Sequence, residues 1–155
     1  MPRKPEPRIC IDRILPPEHK VTALERSIAV RAENRPKLTP KVVKSLSAMP
    51  NPAMGLALLR GKMWKAGQIL RCRFLEGSAI QQKRVEAIAH EWEQFANLKL
   101  KFGNDANAEV RIAFKSGQGS WSAVGTDCLV TEYFAASEPT LTVALGRFRD
   151  FMNAA

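Results

Sequence analysis

The sequence has 155 residues and a mass of 17.2 kDa, which suits one domain with a buried core. Hydrophobic residues make up 45% and charged residues 25%, a soluble globular balance, and the apolar runs are too short for a membrane span of roughly 20 residues. The formal net charge of +9 is uneven, because residues 1–75 carry 16 basic and 5 acidic side chains (+11) and residues 76–155 carry 8 and 10 (−2).

Residues 1–55 are predicted to form a basic, Pro-rich leader. Five of the ten prolines fall within residues 1–17, and four more fall within residues 35–55, which we interpret as a linker with a helical turn at 41–48. Between them, apolar residues recur at steps of three and four, which predicts an amphipathic helix over about 18–33. The apolar face of this helix consists of Val21, Leu24, Ile28 and Ala32.

After Gly67 the apolar pattern changes to a period of two, which predicts a half-buried strand over 68–74. Ser78 and Gln81 then have the spacing of a capping box at the start of a helix that ends at Asn97. The apolar residues of this helix share one face, which is expected to pack on the sheet: Val85, Ile88, Ala89, Trp92, Phe95 and Ala96.

Three further strands are predicted, at 98–102, 110–114 and 140–145, with a loop rich in Gly and Ser at 117–125. The expected fold class is α/β (α+β), with a mixed twisted sheet of about four strands and one long packed helix behind the leader. The domain proper is predicted to span 56–146, followed by a divergent tail at 147–155.

The candidate catalytic motifs are incomplete. The run from His90 to Gln94 resembles the first half of H-E-x-x-H, but Gln94 stands where the second zinc ligand is required. The other histidine, His19, lies in the leader helix. Gly117-x-Gly119-x-x-Ser122 only weakly suggests a dinucleotide loop, because no apolar helix follows it. The sequence therefore predicts no catalytic residue and no metal ligand.

The three cysteines, Cys10, Cys72 and Cys128, lie far apart and form no C-x-x-C pair, so a zinc knuckle or a redox pair is not expected. They are interpreted as semi-buried thiols of a reducing compartment, with one disulfide and one free thiol as the alternative. No apolar stretch follows the charged first residues, so no signal peptide is predicted, and the sequence as it stands favours the cytoplasm.

The basic N-terminal half suggests an alternative function as a nucleic-acid-binding or interaction module. Five basic side chains of the strands could form a phosphate-contacting face: Arg71, Arg73, Lys99, Lys101 and Arg111. The strand phenylalanines alternate to the opposite face, where a core belongs rather than a base-stacking surface. A solvated sheet face is the simpler interpretation.

Taken together, five segments resemble the N-terminal subdomain of bacterial metzincin zinc metalloproteases of the astacin and matrixin type. The resemblance covers about residues 56–146, and its most specific part is a strand followed by a Gly-Ser-Trp-Ser-x-Val-Gly loop. The segments are Leu58–Lys65, the Trp92 helix ending at Asn97, Val110–Phe114, Gly119–Thr126 and Pro139–Leu141.

This resemblance implies that the last strand is an edge strand that binds the substrate backbone by β-augmentation. Its residues are Thr140, Leu141, Thr142, Val143 and Ala144. The family also implies zinc, held by an H-E-x-x-H-x-x-G-x-x-H helix, but here Gly146 is followed by nine residues without any of its ligands. We therefore expect a truncated, catalytically incomplete relative.

A bare edge strand and an uncovered apolar patch also favour association, so the expected partners are a peptide or protein substrate and a second copy of the chain. No membrane partner is expected. The resembled proteins are often exported, which opposes the cytoplasmic interpretation and leaves the compartment unassigned.

Overall fold

The computed structural model describes residues 10–36, 61–115 and 119–144. The predicted turn at 41–48, the segment Leu58–Arg60 and the tail at 147–155 lie outside these residues. The described part is a mixed α/β structure with a six-stranded sheet and two α-helices. The predicted fold class is confirmed, with six strands in place of about four.

The strand order across the sheet is β1-β5-β6-β4-β2-β3. Strands β2, β3, β4 and β6 are mutually parallel, β5 is antiparallel to β6, and β1 is parallel to β5. The strands are β1 (Cys10–Arg13), β2 (Gln68–Phe74), β3 (Leu98–Phe102), β4 (Val110–Lys115), β5 (Ser120–Ala123) and β6 (Leu141–Ala144). The helices are α1 (Lys20–Val30) and α2 (Ala79–Glu91), with short 3-10 turns at Pro17–His19, Ala32–Asn34, Trp92–Gln94 and Gly125–Leu129.

Helix α2 begins at the predicted capping box. The Gln81 amide donates to Ser78 Oγ over 3.3 Å, and the Ser78 amide donates to Gln81 Oε1 over 2.8 Å. The predicted packing of this helix is only partly confirmed, because Val85 and Ala89 are half-buried but α2 has no buried residue. Ile88 is 52% exposed, and Trp92 and Phe95 in the following turn are 67% and 84% exposed. Among the described residues, one side of the helix is therefore half-buried and the other side is exposed.

Helix α1 confirms the predicted leader helix, but the residues predicted to form its apolar face are not the ones that are buried. Val21 is 67% exposed, whereas Ala23 and Ser27 are buried. Ser27 Oγ donates to the carbonyl of Gly61, and the Asn34 side-chain amide donates to the carbonyls of Ser27 and Met63. The helix is thus held by small and hydrogen-bonding residues rather than by its largest apolar side chains. None of the described helices is long and apolar enough to cross a membrane.

The core of the described residues has two parts. One part is a stack of rings, with Phe74 at 5.3 Å from Phe102 and 6.2 Å from Phe114, measured between centroids. The other part is a cluster of Leu15, Ala23, Val130 and Phe134, to which Trp121 and Tyr133 add half-buried rings. The second cluster joins the N-terminal segment to the loop that precedes β6.

Candidate peptide-binding site

The strand predicted to bind substrate lies inside the sheet. Strand β6 pairs with β4 on one side and with β5 on the other. Thr140 and Thr142 are 2% and 1% exposed, the Thr140 carbonyl accepts from the Ala123 amide, and the Thr140 amide donates to the Arg111 carbonyl. Leu141 and Val143 are half-buried. The edge-strand prediction for Thr140–Ala144 is wrong, because β5 folds back against β6 and takes up that side.

The edge strands of the described sheet are β1 and β3, and β1 comes from the N-terminal segment. Residues Cys10–Arg13 run parallel to β5, with Cys10 opposite Ser120 and Arg13 opposite Ala123. Without β1, the outer side of β5 would present unpaired N–H and C=O groups, which is the arrangement that accepts an extended peptide. The N-terminal segment therefore occupies the outer side of β5.

The Arg13 side chain fixes this segment through an aromatic surface. Its guanidinium carbon lies 4.4 Å from the ring centroid of Trp121, 5.1 Å from that of Tyr133 and 5.5 Å from that of Phe134. Arg13 Nε also donates to Tyr133 Oη over 3.2 Å. We call Trp121, Tyr133 and Phe134 the arginine cage. Contacts of this kind combine cation–π attraction with ring stacking.

Two further contacts hold the N-terminal segment on the loop that follows β5. Leu15 is 3% exposed and packs with Val130 and Phe134. From α1, Arg26 donates to the carbonyl of Leu129 and forms a 2.6 Å ion pair with Glu132. The segment is thus anchored both along β5 and beside it.

Arg111 of β4 also holds the loop between β5 and β6. Arg111 is 3% exposed. Its guanidinium donates to the carbonyls of Ala108, Phe134 and Glu138 over 2.9, 2.8 and 2.7 Å. Burial lowers the pKa of Arg111 from its ordinary value. Because one of the three acceptors is the carbonyl of Phe134, Arg111 positions this residue of the arginine cage.

The 3-10 turn Gly125–Leu129 is fixed by a buried ion pair. Lys62 Nζ lies 2.5 Å from Asp127 Oδ2, and the Asp127 side chain is 1% exposed. Burial raises the pKa of Asp127, and the Lys62 ammonium opposes that shift. Gly125 has φ of +53°, and a Cβ there would collide with the carbonyl of Lys62, so a glycine is required at this close approach.

The described residues do not fit a zinc site. They contain no group of three His, Cys, Asp or Glu side chains that could hold a metal ion. His90 Nδ1 lies 3.1 Å from Glu93 Oε1, and the His19 ring packs at 5.5 Å from Tyr133, so the two histidines belong to separate contacts. The zinc of the resembled family has no set of ligands in this part of the chain.

Three of the five basic strand residues contact other described residues of the fold. Arg71 is paired with Glu109 and with Asp105, and Lys99 lies 3.1 Å from Glu93. Arg111, predicted on the solvated face, is buried. Of the weak dinucleotide pattern, Gly119 leads directly into strand β5 and Ser122 lies within that strand, whereas Gly117 lies outside the described residues.

Cys72 and Cys128 are free, buried thiols, and burial raises the pKa of each to about 12. They are protonated at neutral pH and have no exposed sulfur for a reaction. Sequence reasoning missed Tyr133 and Phe134 of the arginine cage, because no element was predicted around them. Only Trp121 appeared in a segment singled out from the sequence.

Comparison with solved structures relates this fold to myroilysin, a bacterial metalloprotease. One myroilysin structure matches with a TM-score of 0.52 and 26% identity over 56% of this chain and 40% of that protein. A second matches with a TM-score of 0.50 and 25% identity over 54% of this chain and 35% of that protein. No protein-family model and no curated protein matches the sequence. The chain therefore has a distant metalloprotease-like fold and spans less than half the length of these neighbours.

Proposed function

We propose that the chain is a metzincin-like subdomain, over about residues 56–146, that binds an extended peptide along β5 without hydrolysing it. The observation that carries the proposal is the pairing of β1 with the outer side of β5. Main-chain hydrogen bonds give such a site affinity for any extended segment, and neighbouring side-chain pockets give it selectivity. The chain's own N-terminal segment occupies the site until it is displaced.

The proposal keeps the peptide-binding role that the resemblance implies and moves it from Thr140–Ala144 to Ser120–Ala123. Strand β6 has hydrogen-bonded neighbours on both sides, whereas β5 has only β1, a four-residue strand, on its outer side. A short edge strand held by a few side chains can be exchanged at modest cost, because few ladder hydrogen bonds are lost.

The absence of hydrolysis is testable directly. The sequence contains no H-E-x-x-H motif, and the described residues offer no set of three ligands, so we expect well under one zinc ion per purified chain. We also expect no chelator-sensitive cleavage of an unfolded protein substrate, with or without added zinc. Elemental analysis and a gel-based cleavage assay measure both. Stoichiometric zinc together with chelator-sensitive cleavage would contradict the proposal.

Peptide binding is tested by loosening β1 in the full chain. The open variant combines Ile11→Pro, Asp12→Pro and Arg13→Ala; because successive amides of a strand point to opposite sides, one of the two prolines must remove a donor that faces β5. The matched control, Ile11→Ala/Asp12→Ala, keeps both donors and Arg13. The probe is a fluorescent peptide of residues 8–14 with serine in place of Cys10.

We expect the probe to bind the open variant at least tenfold more tightly than the control or the parent, by fluorescence anisotropy, because only the open variant exposes β5. Should the prolines unfold the chain, Ile11→Gly/Asp12→Gly/Arg13→Ala supplies a second full-length host, because glycines weaken a strand and the Arg13 contacts are lost. Equal binding to open and closed forms, or none to either, would count against β5 as a peptide site.

A further inference from the structure

We infer that the site beside β5 selects peptides that carry an arginine opposite Ala123, an inference that rests on the proposed function. The selecting group is the arginine cage. In the present structure Arg13 fills it, so the chain's own segment shows which side chain the site accepts.

The cage residues come from two parts of the fold outside β1. Trp121 belongs to β5, whereas Tyr133 and Phe134 belong to the loop before β6, where Phe134 is 0% exposed and its carbonyl accepts from Arg111. Phe134 lies 4.8 Å from Tyr133 and 6.4 Å from Trp121, between ring centroids. The three rings are therefore packed against one another and preorganised for a ligand.

The register of the strands explains why the guanidinium reaches these rings. Arg13 is opposite Ala123 and Ile11 is opposite Trp121. Side chains two residues apart on a strand share a face, so the guanidinium of Arg13 can fold back over Trp121. A residue one position earlier or later would point to the other face and miss the cage.

The chemistry of the cage favours arginine over other residues. A planar guanidinium can stack on Trp121 while its Nε donates to Tyr133 Oη, which a lysine ammonium cannot do in the same geometry. Among the described residues Arg13 forms no ion pair, so recognition depends on the ring faces rather than on a carboxylate. The predicted ligand is an extended peptide with one arginine seated on aromatic rings.

The test uses the open variant and the residue 8–14 probe in four forms. Relative to the probe with Arg13, we expect about tenfold weaker binding for Arg13→Ala, a smaller loss for Arg13→Lys, and no change for Ile14→Ala, since Ile14 is 71% exposed in the chain. Adding Trp121→Leu to the host is expected to reduce the preference for arginine over alanine to less than threefold. A residue that only supports the fold would weaken all four probes equally.

The outcomes separate the two proposals. If all four probes bind the open variant with the same affinity, backbone pairing along β5 stands and selection of arginine is overturned. If no probe binds either the open variant or the glycine variant, both proposals fall. If the arginine preference survives Trp121→Leu, the cage is not the selecting group and the inference is wrong.

Discussion

Replacing Arg111 with methionine is expected to lower the free energy of unfolding by about 3 kcal/mol or more. The substitution leaves the carbonyls of Ala108, Phe134 and Glu138 without their donor in a buried site, and each orphaned carbonyl costs about 1–3 kcal/mol. Removing a buried cation recovers part of this loss, because burial already disfavours the charged form. Urea unfolding followed by tryptophan fluorescence measures the difference.

Arg73 supplies the matched control, since it lies opposite Arg111 in the register of β2 and β4 and is only half-buried. Arg73→Met is expected to change the free energy of unfolding by less than about 1 kcal/mol. Arg111→Met should also speed hydrogen exchange in β1, because it releases the loop that carries Phe134. A loss below about 1 kcal/mol for Arg111→Met would show that water replaces the guanidinium and that Arg111 does not hold the loop.

The elements with strong local signals were predictable from the sequence. The period of two in Gln68–Phe74 places Leu70 and Cys72 in the core, and both are buried. The capping box of α2 forms with both of its hydrogen bonds. Such features depend on residues a few positions apart, so the sequence contains the information that determines them.

The order of the strands was not predictable in this way. Pairing of β1 with β5 joins residues that are 110 positions apart, and no periodicity connects Cys10 with Ser120. The position of β6 inside the sheet likewise depends on how β5 folds back. The resemblance placed an edge strand at β6, whereas the described sheet ends at β1 and β3.

The alternation of apolar and polar residues also identifies the two faces of a strand, but it does not indicate which elements cover each face. Arg111 was placed with Arg71 and Arg73 on a solvated face, but the loop before β6 covers that face at β4. The opposite error occurred at α2 and the turn that follows it, where Ile88 and Trp92 are exposed rather than packed. Both errors arise because burial depends on elements that are distant in the sequence.

Replacing Lys62 with methionine is expected to lower the free energy of unfolding by about 3–5 kcal/mol at pH 7, because it leaves the Asp127 carboxylate buried without its partner. The comparison is Lys99→Met, which removes a lysine that is 68% exposed from its pair with Glu93 and should cost less than about 1 kcal/mol. Urea unfolding of the two variants and the parent at pH 7 gives both values.

The loss in Lys62→Met is also expected to depend on pH. Burial raises the folded-state pKa of Asp127 above that of the unfolded chain, and without the Lys62 ammonium that shift grows. The folded variant then binds a proton more readily than the unfolded chain, so its deficit is complete above the folded-state pKa and shrinks as the pH falls through it. Unfolding at pH 7 and pH 5 should show a smaller deficit at pH 5, whereas Lys62→Met/Asp127→Asn should lose this dependence. A deficit that is constant between the two pH values would mean that water reaches Asp127 and that the ion pair does not fix the turn.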